Sequence, residues 1–338
     1  MAGRVAIITV NHGTARALLQ RLQRYVQHLD GIEARVILVD NASPGDDGEV
    51  LRSGVAALQP LPVPVEVILS PVNGGFAAGN NVAFARLRRE ASPPDAVVLL
   101  NPDAEPEPGA IQALFEGLVA APRSGFAGPV LINDDGSTWS GAFNFPSWQI
   151  EILRPLGIGI VDRFSPLLAA TDAGPARVDW LSGASLMIRW TAIQALGDLD
   201  EGYFLYHEEV DYQREGARQG WEAWHIPAAR VRHAAGETTG VVDGQIRRGR
   251  TPAYLFESWV RYSVKQRGAA ATRIVATLRL VTIMLGQLKL ILQGRGISLP
   301  QRYLRDYLAQ VVLRRLSPPP SSERAGKTAQ AMVATSGP

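Results

Sequence analysis

The sequence predicts an α/β fold: a mostly parallel central sheet with helices on both faces, followed by a helical C-terminal segment. Two observations predict it. Apolar strand segments alternate with helical ones through the first hundred residues, as repeated β-α-β units do. Those strand segments are apolar almost continuously, not at every second residue, so both faces of the sheet are covered. A chain of 338 residues, 46% of them hydrophobic, can bury one large core of this kind and still carry an appended segment.

The elements follow in order. Residues 4–10, RVAIITV, form a first apolar strand. Residues 14–29 place Leu18, Leu22, Val26 and Leu29 on one helical face, with Thr14 as a candidate cap. RVILVD (35–40) and VEVILS (65–70) are the second and third strands, NNVAFARLRRE (80–90) is a helix, and AVVLLN (96–101) is the fourth strand. A helix over 111–120 and a strand over 125–132 come next, then a loop-rich insertion over 141–175 that holds several Pro and Gly. DWLSGASLMIRW (179–190) reads as one strand, followed by a helix over 191–197, a charged helix over 203–219 and a short strand over 223–227. From about residue 250 the chain is mostly helical, and the low-complexity residues 317–338 read as a disordered tail. The domain division expected is 1–240, 241–316 and 317–338.

Composition removes several chemistries. The chain has no cysteine, which excludes disulfides, cysteine-based zinc sites and a thiol nucleophile. The apolar run Val5–Val10 is too short for a secretory signal, and nowhere do about 18 apolar residues run without a charge. The expected location is therefore cytoplasmic. The net charge of +2 conceals an asymmetry: residues 244–316 carry 14 Lys and Arg against Glu257 and Asp306 alone, leaving the body acidic. A basic segment on an acidic body either meets something anionic or is simply a solvated face.

The early strands all end in polar or small residues. Asn11, His12 and Gly13 follow the first, Asp40, Asn41 and Ser43 the second, PVNGGFAAGNN (71–81) the third, and Asn101, Pro102 and Asp103 the fourth. Any one of these is an ordinary turn. Strands of a parallel sheet share one carboxyl edge, where open α/β folds bind ligands, so four in succession converge on one place. The loop NGGFAAGNN enters a helix as phosphate-binding loops do, yet it matches neither G-x-G-x-x-G nor the Gly-Lys-Ser/Thr P-loop. An NAD enzyme or a P-loop nucleotidase is disfavoured.

Taken in order, ITVNHG, VDNAS, NGGFAAGNN, LLNPDA, WLSGASLMIRW, DEGYFLYHEEVDYQREGARQGW and VRHAAGETT resemble the family 2 glycosyltransferases of the GT-A fold. The resemblance covers about residues 4–240 and is nearest to the bacterial rhamnosyltransferase-like branch that builds cell-envelope polysaccharides. It implies a nucleotide-sugar site on the edge already inferred. Val10 and Asn11 would lie beside the base, Asp40 would read base or ribose with Asn41 near it, and Asn73, Gly75 and Asn80 would line the cleft. Asp103 corresponds to the last acid of the family's metal-binding D-x-D motif, and Asn101 stands where the first acid would be. One charged ligand remains there for a divalent cation, Mg²⁺ or Mn²⁺, whose task is to stabilise the charge on a departing diphosphate.

The acids Glu208, Glu209 and Asp211 either begin a solvated helix or supply a base. The resemblance implies a general base at Glu209, one methylene longer than the family's usual Asp, with Glu208 and Asp211 as alternatives. The base takes the acceptor hydroxyl's proton as that oxygen attacks the anomeric carbon, and a single such carboxylate gives direct displacement with inversion. His233 is either a structural residue or, as in some relatives, a further metal ligand. Trp180 and the small Gly183 and Ala184 would admit an acceptor, although core packing explains Trp180 nearly as well.

In residues 273–293, Arg279, Thr282, Gly286, Lys289 and Gln293 form one narrow polar stripe on an otherwise apolar helix. Such a helix either lies in an anionic membrane surface or packs on protein, the chain's own or that of a second copy. No nucleic-acid module accompanies the charge. The function expected is inverting transfer of a sugar, with L-rhamnose from dTDP-rhamnose implied by the branch, to a glycan or polyprenyl-linked glycan, at the inner face of the plasma membrane. The alternatives are a sugar nucleotidyltransferase, which would want a basic Gly-rich N-terminal loop where only Arg16 is offered, and an inactive nucleotide-sugar-binding scaffold.

Overall fold

A computed structural model describes residues 3–158, 174–234, 241–242, 245–246 and 249–316, and divides into two compact units. Of the described residues, the first unit takes those within 1–145, 167–199 and 209–239, and the second takes the remainder. Residues 146–158 and 200–208 therefore cluster with the C-terminal helices. The tail read as disordered lies outside the described residues.

The first unit is built on a ten-stranded sheet. Strands β1 (Arg4–Asn11), β2 (Glu33–Asn41), β3 (Val65–Ser70) and β4 (Ala96–Leu100) pair in parallel, in the order β3-β2-β1-β4. The sheet continues from β4 through β11 (Ser185–Arg189), β6 (Ser124–Ile132), β12 (Glu222–His233) and β5 (Ala104–Pro106). Of these, β11 runs antiparallel to both neighbours and β5 antiparallel to β12, whereas β6 and β12 are parallel. The short strands β7 (Thr138–Trp139) and β9 (Ala176–Val178) pair with β6 and β12, and β8 (Ala142–Phe143) forms a separate ladder with β10 (Trp180–Leu181).

Continuous apolarity of the first strands has the expected cause. Val5, Ile7, Val36, Leu38, Val98 and Leu100 face one core, filled by α1 (Ala15–Tyr25), α2 (Asp47–Ala57) and α4 (Ala110–Ala120) through residues such as Leu22, Leu51 and Leu114. The intervening Ala6, Ile8, Ile37, Val39, Val97 and Leu99 face a second core with Phe84 and Leu87 of α3 (Gly75–Arg88) and Ile193 of α6 (Trp190–Leu196). The period of two along each strand thus sends alternate apolar side chains to opposite faces, both buried.

Several elements depart from the sequence reading. Helix α2 carries Gly48 and Gly54 and only two buried residues, Leu51 and Val55, so its periodic signal is weak. Thr14 occupies the N-cap position of α1 without capping it: its hydroxyl donates to Asn11 Oδ1, and Asp47 Oδ1 and Oδ2 accept from the Ala15 N–H instead. Helix α3 begins at Gly75, inside the glycine-rich loop. Residues 179–190 are two strands, β10 and β11, broken by a turn at 182–184. The charged helix is shortened to α7 (Glu208–Arg218), because Tyr206 and His207 are both left-handed, at φ 68° and 73°. Strand β12 runs twelve residues where five were read. The insertion after residue 141 contains a helix, α5 (Trp148–Leu153), capped by Ser147 Oγ accepting from the Ile150 N–H.

In the second unit, Ile152, Phe256, Trp259, Val275, Tyr307 and Val311 belong to one core. Its long helix, α8 (Ala253–Leu292), is interrupted at Gly268, whose φ of 78° only glycine adopts readily. A short helix α9 (Tyr303–Tyr307) follows.

Candidate active site

The carboxyl ends of β1 and β2 are stitched together by buried polar groups. Asn11 and Asp40 are 0% and 4% exposed, and Asn11 Nδ2 donates to Asp40 Oδ1 (2.9 Å), Ser43 Oγ (3.2 Å) and Asp47 Oδ2 (2.8 Å). Asp40 also accepts from Ser43 Oγ (2.6 Å) and from the Ser43 N–H (3.1 Å). The carboxylate that the sequence offers to a nucleoside is thus engaged by its own loop, which fixes the rim rather than presenting a bare charge. Asp47 was not legible, since it sits in the helix the sequence concealed. Val10 packs into the space left by Gly79, where a Cβ would approach Val10 Cγ1 to 2.6 Å.

From Asn41 the network crosses to the glycine-rich loop. Asn41 Nδ2 donates to Asn73 Oδ1 (3.0 Å) and to the Gly75 carbonyl (2.9 Å), and Asn73 Oδ1 also accepts the Gly75 N–H (3.0 Å). Gly75 holds φ at 84°, so its glycine identity is conformational. Asn73 Nδ2 lies 3.3 Å from Nε2 of exposed His12, a residue without a sequence argument in its favour. Asn80 is 1% exposed and donates to the Phe76 carbonyl of its own helix, so it shapes the loop from within.

The stretch Asn101-Pro102-Asp103-Ala104 proves to be both a turn and a constellation. The Ala104 N–H donates to the Asn101 carbonyl (3.0 Å), which closes the turn. Strand β5 follows at once and pairs with the end of β12, setting His233 opposite Ala104. That register brings His233 Nε2 to 3.4 Å from Asp103 Oδ1 and 3.5 Å from Asn101 Nδ2. Asp103 is 7% exposed, and its buried Oδ1 accepts no hydrogen bond from the described residues. A buried carboxylate oxygen in want of a donor, beside an imidazole, is a fitting seat for a hard cation. Among the described residues no cluster of three or more His, Asp or Glu could hold a metal.

Glu209 and Asp211 belong to the same unit as the Asp103 turn. The Asn101 N–H donates to the Ala184 carbonyl (3.0 Å), which fixes the turn at 182–184 beside the Asp103 turn. A Cβ built on Gly183 would stand 3.6 Å from Glu209 Cγ and 3.8 Å from Phe76 Cε1, so helix α3, this turn and the start of α7 meet there. Glu208 and Asp211 are buried, at 4% and 6% exposure, whereas Glu209 is half-buried. A solvated acidic face is thereby ruled out for Glu208 and Asp211. Gln213 holds α7 in place: its Oε1 accepts the Leu181 N–H (2.9 Å), and its Nε2 donates to the Leu181 carbonyl (2.8 Å). That role was not legible in the sequence, since a glutamine one turn after Glu209 is ordinary on a charged helix. Trp180 is half-buried and stacks on Phe143 with ring centroids 4.2 Å apart.

A mostly parallel sheet with polar groups gathered where β1, β2 and β4 end is the ligand-binding edge of an open α/β fold. Solved structures carry the same fold: a mannosyltransferase from Pyrobaculum calidifontis in complex with GDP-Man and Mn²⁺ superposes with a TM-score of 0.56 at 15% identity, over 99% of this chain and 86% of that one. GalNAc-T7 with UDP, GalNAc and Mn²⁺ gives 0.58 at 15% identity, over 94% of this chain but only 59% of that one. Residues 5–167 match the family model for glycosyl transferase family 2. The N-acetylglucosaminyl-diphospho-decaprenol L-rhamnosyltransferase of Mycobacterium tuberculosis is 31% identical over 236 residues, which cover 65% of this chain and 73% of that protein. The chain belongs to glycosyltransferase family 2.

Proposed function

We propose that this glycosyltransferase moves L-rhamnose from a nucleoside diphosphate, dTDP in the first instance, to a hydroxyl of a polyprenyl-diphosphate-linked glycan, with inversion at the anomeric carbon. The observation that carries the reading is the juxtaposition of Asp103, His233 and Asn101 at the sheet edge, with Glu209 at the turn joined to it through Ala184. The name of the mycobacterial relative supports both the sugar and the lipid-linked acceptor.

Asp103 and His233 would hold a divalent cation, Mg²⁺ or Mn²⁺, that stabilises negative charge on the β-phosphate. Asn101 contributes a neutral oxygen or an amide donor at the same place. The loop running from Asn11 and Asp40 to Asn73 and Gly75 forms the nucleoside rim, its exposed edge being His12 and Asn73. Glu209 takes the proton of the acceptor hydroxyl while that oxygen bonds to the anomeric carbon. The bond from that carbon to the diphosphate oxygen breaks, and its electron pair leaves with the nucleoside diphosphate. Glu208 and Asp211, being buried, position the start of α7. Gly183 leaves room for the acceptor beside Glu209, and Trp180 offers it an aromatic edge.

The test is a donor screen with purified full-length protein and a short-chain polyprenyl-diphosphate-linked N-acetylglucosamine, with and without Mn²⁺, scoring nucleotide release. The reading expects dTDP release from dTDP-rhamnose that depends on acceptor and on cation. Turnover with a different nucleotide sugar only would overturn the donor assignment.

A further inference from the structure

Helix α8 is turned inside out relative to a soluble amphipathic helix. Three residues of its polar stripe, Arg279, Gly286 and Lys289, contact other parts of its own unit. Gly286 is buried so closely that a Cβ there would run into the Pro155 carbonyl oxygen. Lys289 Nζ donates to the carbonyls of Leu156 and Gly157, and the Arg279 guanidinium lies over the rings of Trp259 (5.5 Å) and Tyr307 (5.8 Å). What faces outward is apolar: Ile274, Leu278, Val281, Leu285, Leu288 and Leu292 are all exposed, between 42% and 78%. Their spacing of four and three residues keeps them on one line, about 27 Å long at 1.5 Å per residue. An apolar face of that length marks an interaction surface.

Charge identifies the occupant. Between residues 244 and 316 the only acids are Asp306, which is 3% exposed and bound by Arg250, and Glu257, which is paired with Arg314. Arg295, Arg302, Arg305 and Arg315 are exposed in the same stretch. A second copy of this chain would bring from this segment only these two already paired acids to meet those arginines, whereas an anionic lipid headgroup layer meets both the arginines and the leucines. The helix has an 18-residue window of mean hydropathy 1.7, long and apolar enough to cross a bilayer by length and composition. Its inner face, however, is bound to its own unit through Arg279, Gly286 and Lys289, so only one face is offered. We infer that α8 lies flat in the headgroup region of an anionic bilayer, with the Ile274–Leu292 line as the inserted face. This inference rests on the second unit alone and stands or falls separately from the sugar and acceptor assigned above.

The experiment is flotation of the full-length protein with phosphatidylcholine vesicles containing about 30% phosphatidylglycerol, at low and high salt, beside pure phosphatidylcholine vesicles. Binding is expected to anionic vesicles, at least tenfold stronger than to neutral ones and weakened by salt. Leu285→Gln with Leu288→Gln should lower it at least tenfold, with the circular dichroism spectrum unchanged. Should that variant unfold, Arg295→Gln with Arg302→Gln and Arg305→Gln serves in its place and should lower binding to anionic vesicles at least fivefold. Failure of the wild-type protein to float with anionic vesicles overturns the inference. So does a concentration-dependent dimer in light scattering that the leucine variant abolishes while vesicle binding is unchanged, since the face is then a subunit interface.

Discussion

At the scale of single residues, Glu209 and His207 make the sharpest claims. Glu209→Gln removes the carboxylate proposed as proton acceptor but keeps the side chain's size and its place beside Gly183. The expected result is a fall in kcat of about 10²–10⁴, with nucleotide-sugar affinity within about twofold of wild type, read by turnover and calorimetry. His207 belongs to the second unit, packed at 5.3 Å on the Tyr262 ring, with φ at 73°. Burial, and secondarily the Arg279 guanidinium, depress its pKa from 6.5 to about 4. The folded state therefore keeps His207 neutral where the unfolded chain would already be protonated. Its contribution is complete above about pH 6.5 and is lost as pH falls toward about 4, by at most about 3 kcal/mol. His207→Asn, which tolerates the left-handed backbone, should flatten that part of a denaturation-versus-pH profile. Single residues were also the most legible level of the sequence, because Asn11, Asp40, Asn73, Asn101 and Asp103 close apolar runs and so announce themselves. Asp47 and Gln213 did not, since each acts from a helix on a loop distant in sequence.

At the scale of elements, the pairing of β5 with β12 decides whether the metal-binding reading is geometrically available. Neither the three-residue strand β5 nor the second half of β12 could be read, because β5 has only three residues and Arg230 and Arg232 break the apolar pattern of β12. Yet that ladder sets His233 opposite Ala104, beside Asp103, from 130 positions along the chain. The parallel strands were legible for the opposite reason: burial on both faces leaves an unmistakable apolar run. Helix α7 shows what one buried side chain can fix. Gln213→Leu keeps volume but leaves the Leu181 N–H and carbonyl without their partner. Stability should fall by about 1–3 kcal/mol in urea denaturation, and kcat should fall with it as Glu209 loses its register.

At the scale of the whole molecule, one charged metal ligand and one candidate base predict a single displacement. The anomeric configuration of the product, read by NMR, should be opposite to that of the donor; retention would point to a covalent intermediate and overturn the single displacement. The sequence showed the charge asymmetry, with the C-terminal helices basic, but not which side of α8 faces outward. That depended on Pro155, Leu156 and Gly157, which a linear reading places in an insertion more than a hundred residues away. The account as a whole depends on Asp103 as the protein's charged seat for a cation that the nucleoside diphosphate shares. The most direct test is electron paramagnetic resonance of Mn²⁺ titrated with protein in the presence of dTDP. Wild type and Glu209→Gln should bind the ion equally, and Asp103→Asn should bind it at least tenfold more weakly. An Asp103→Asn protein that binds Mn²⁺ and dTDP as tightly as wild type would contradict the account.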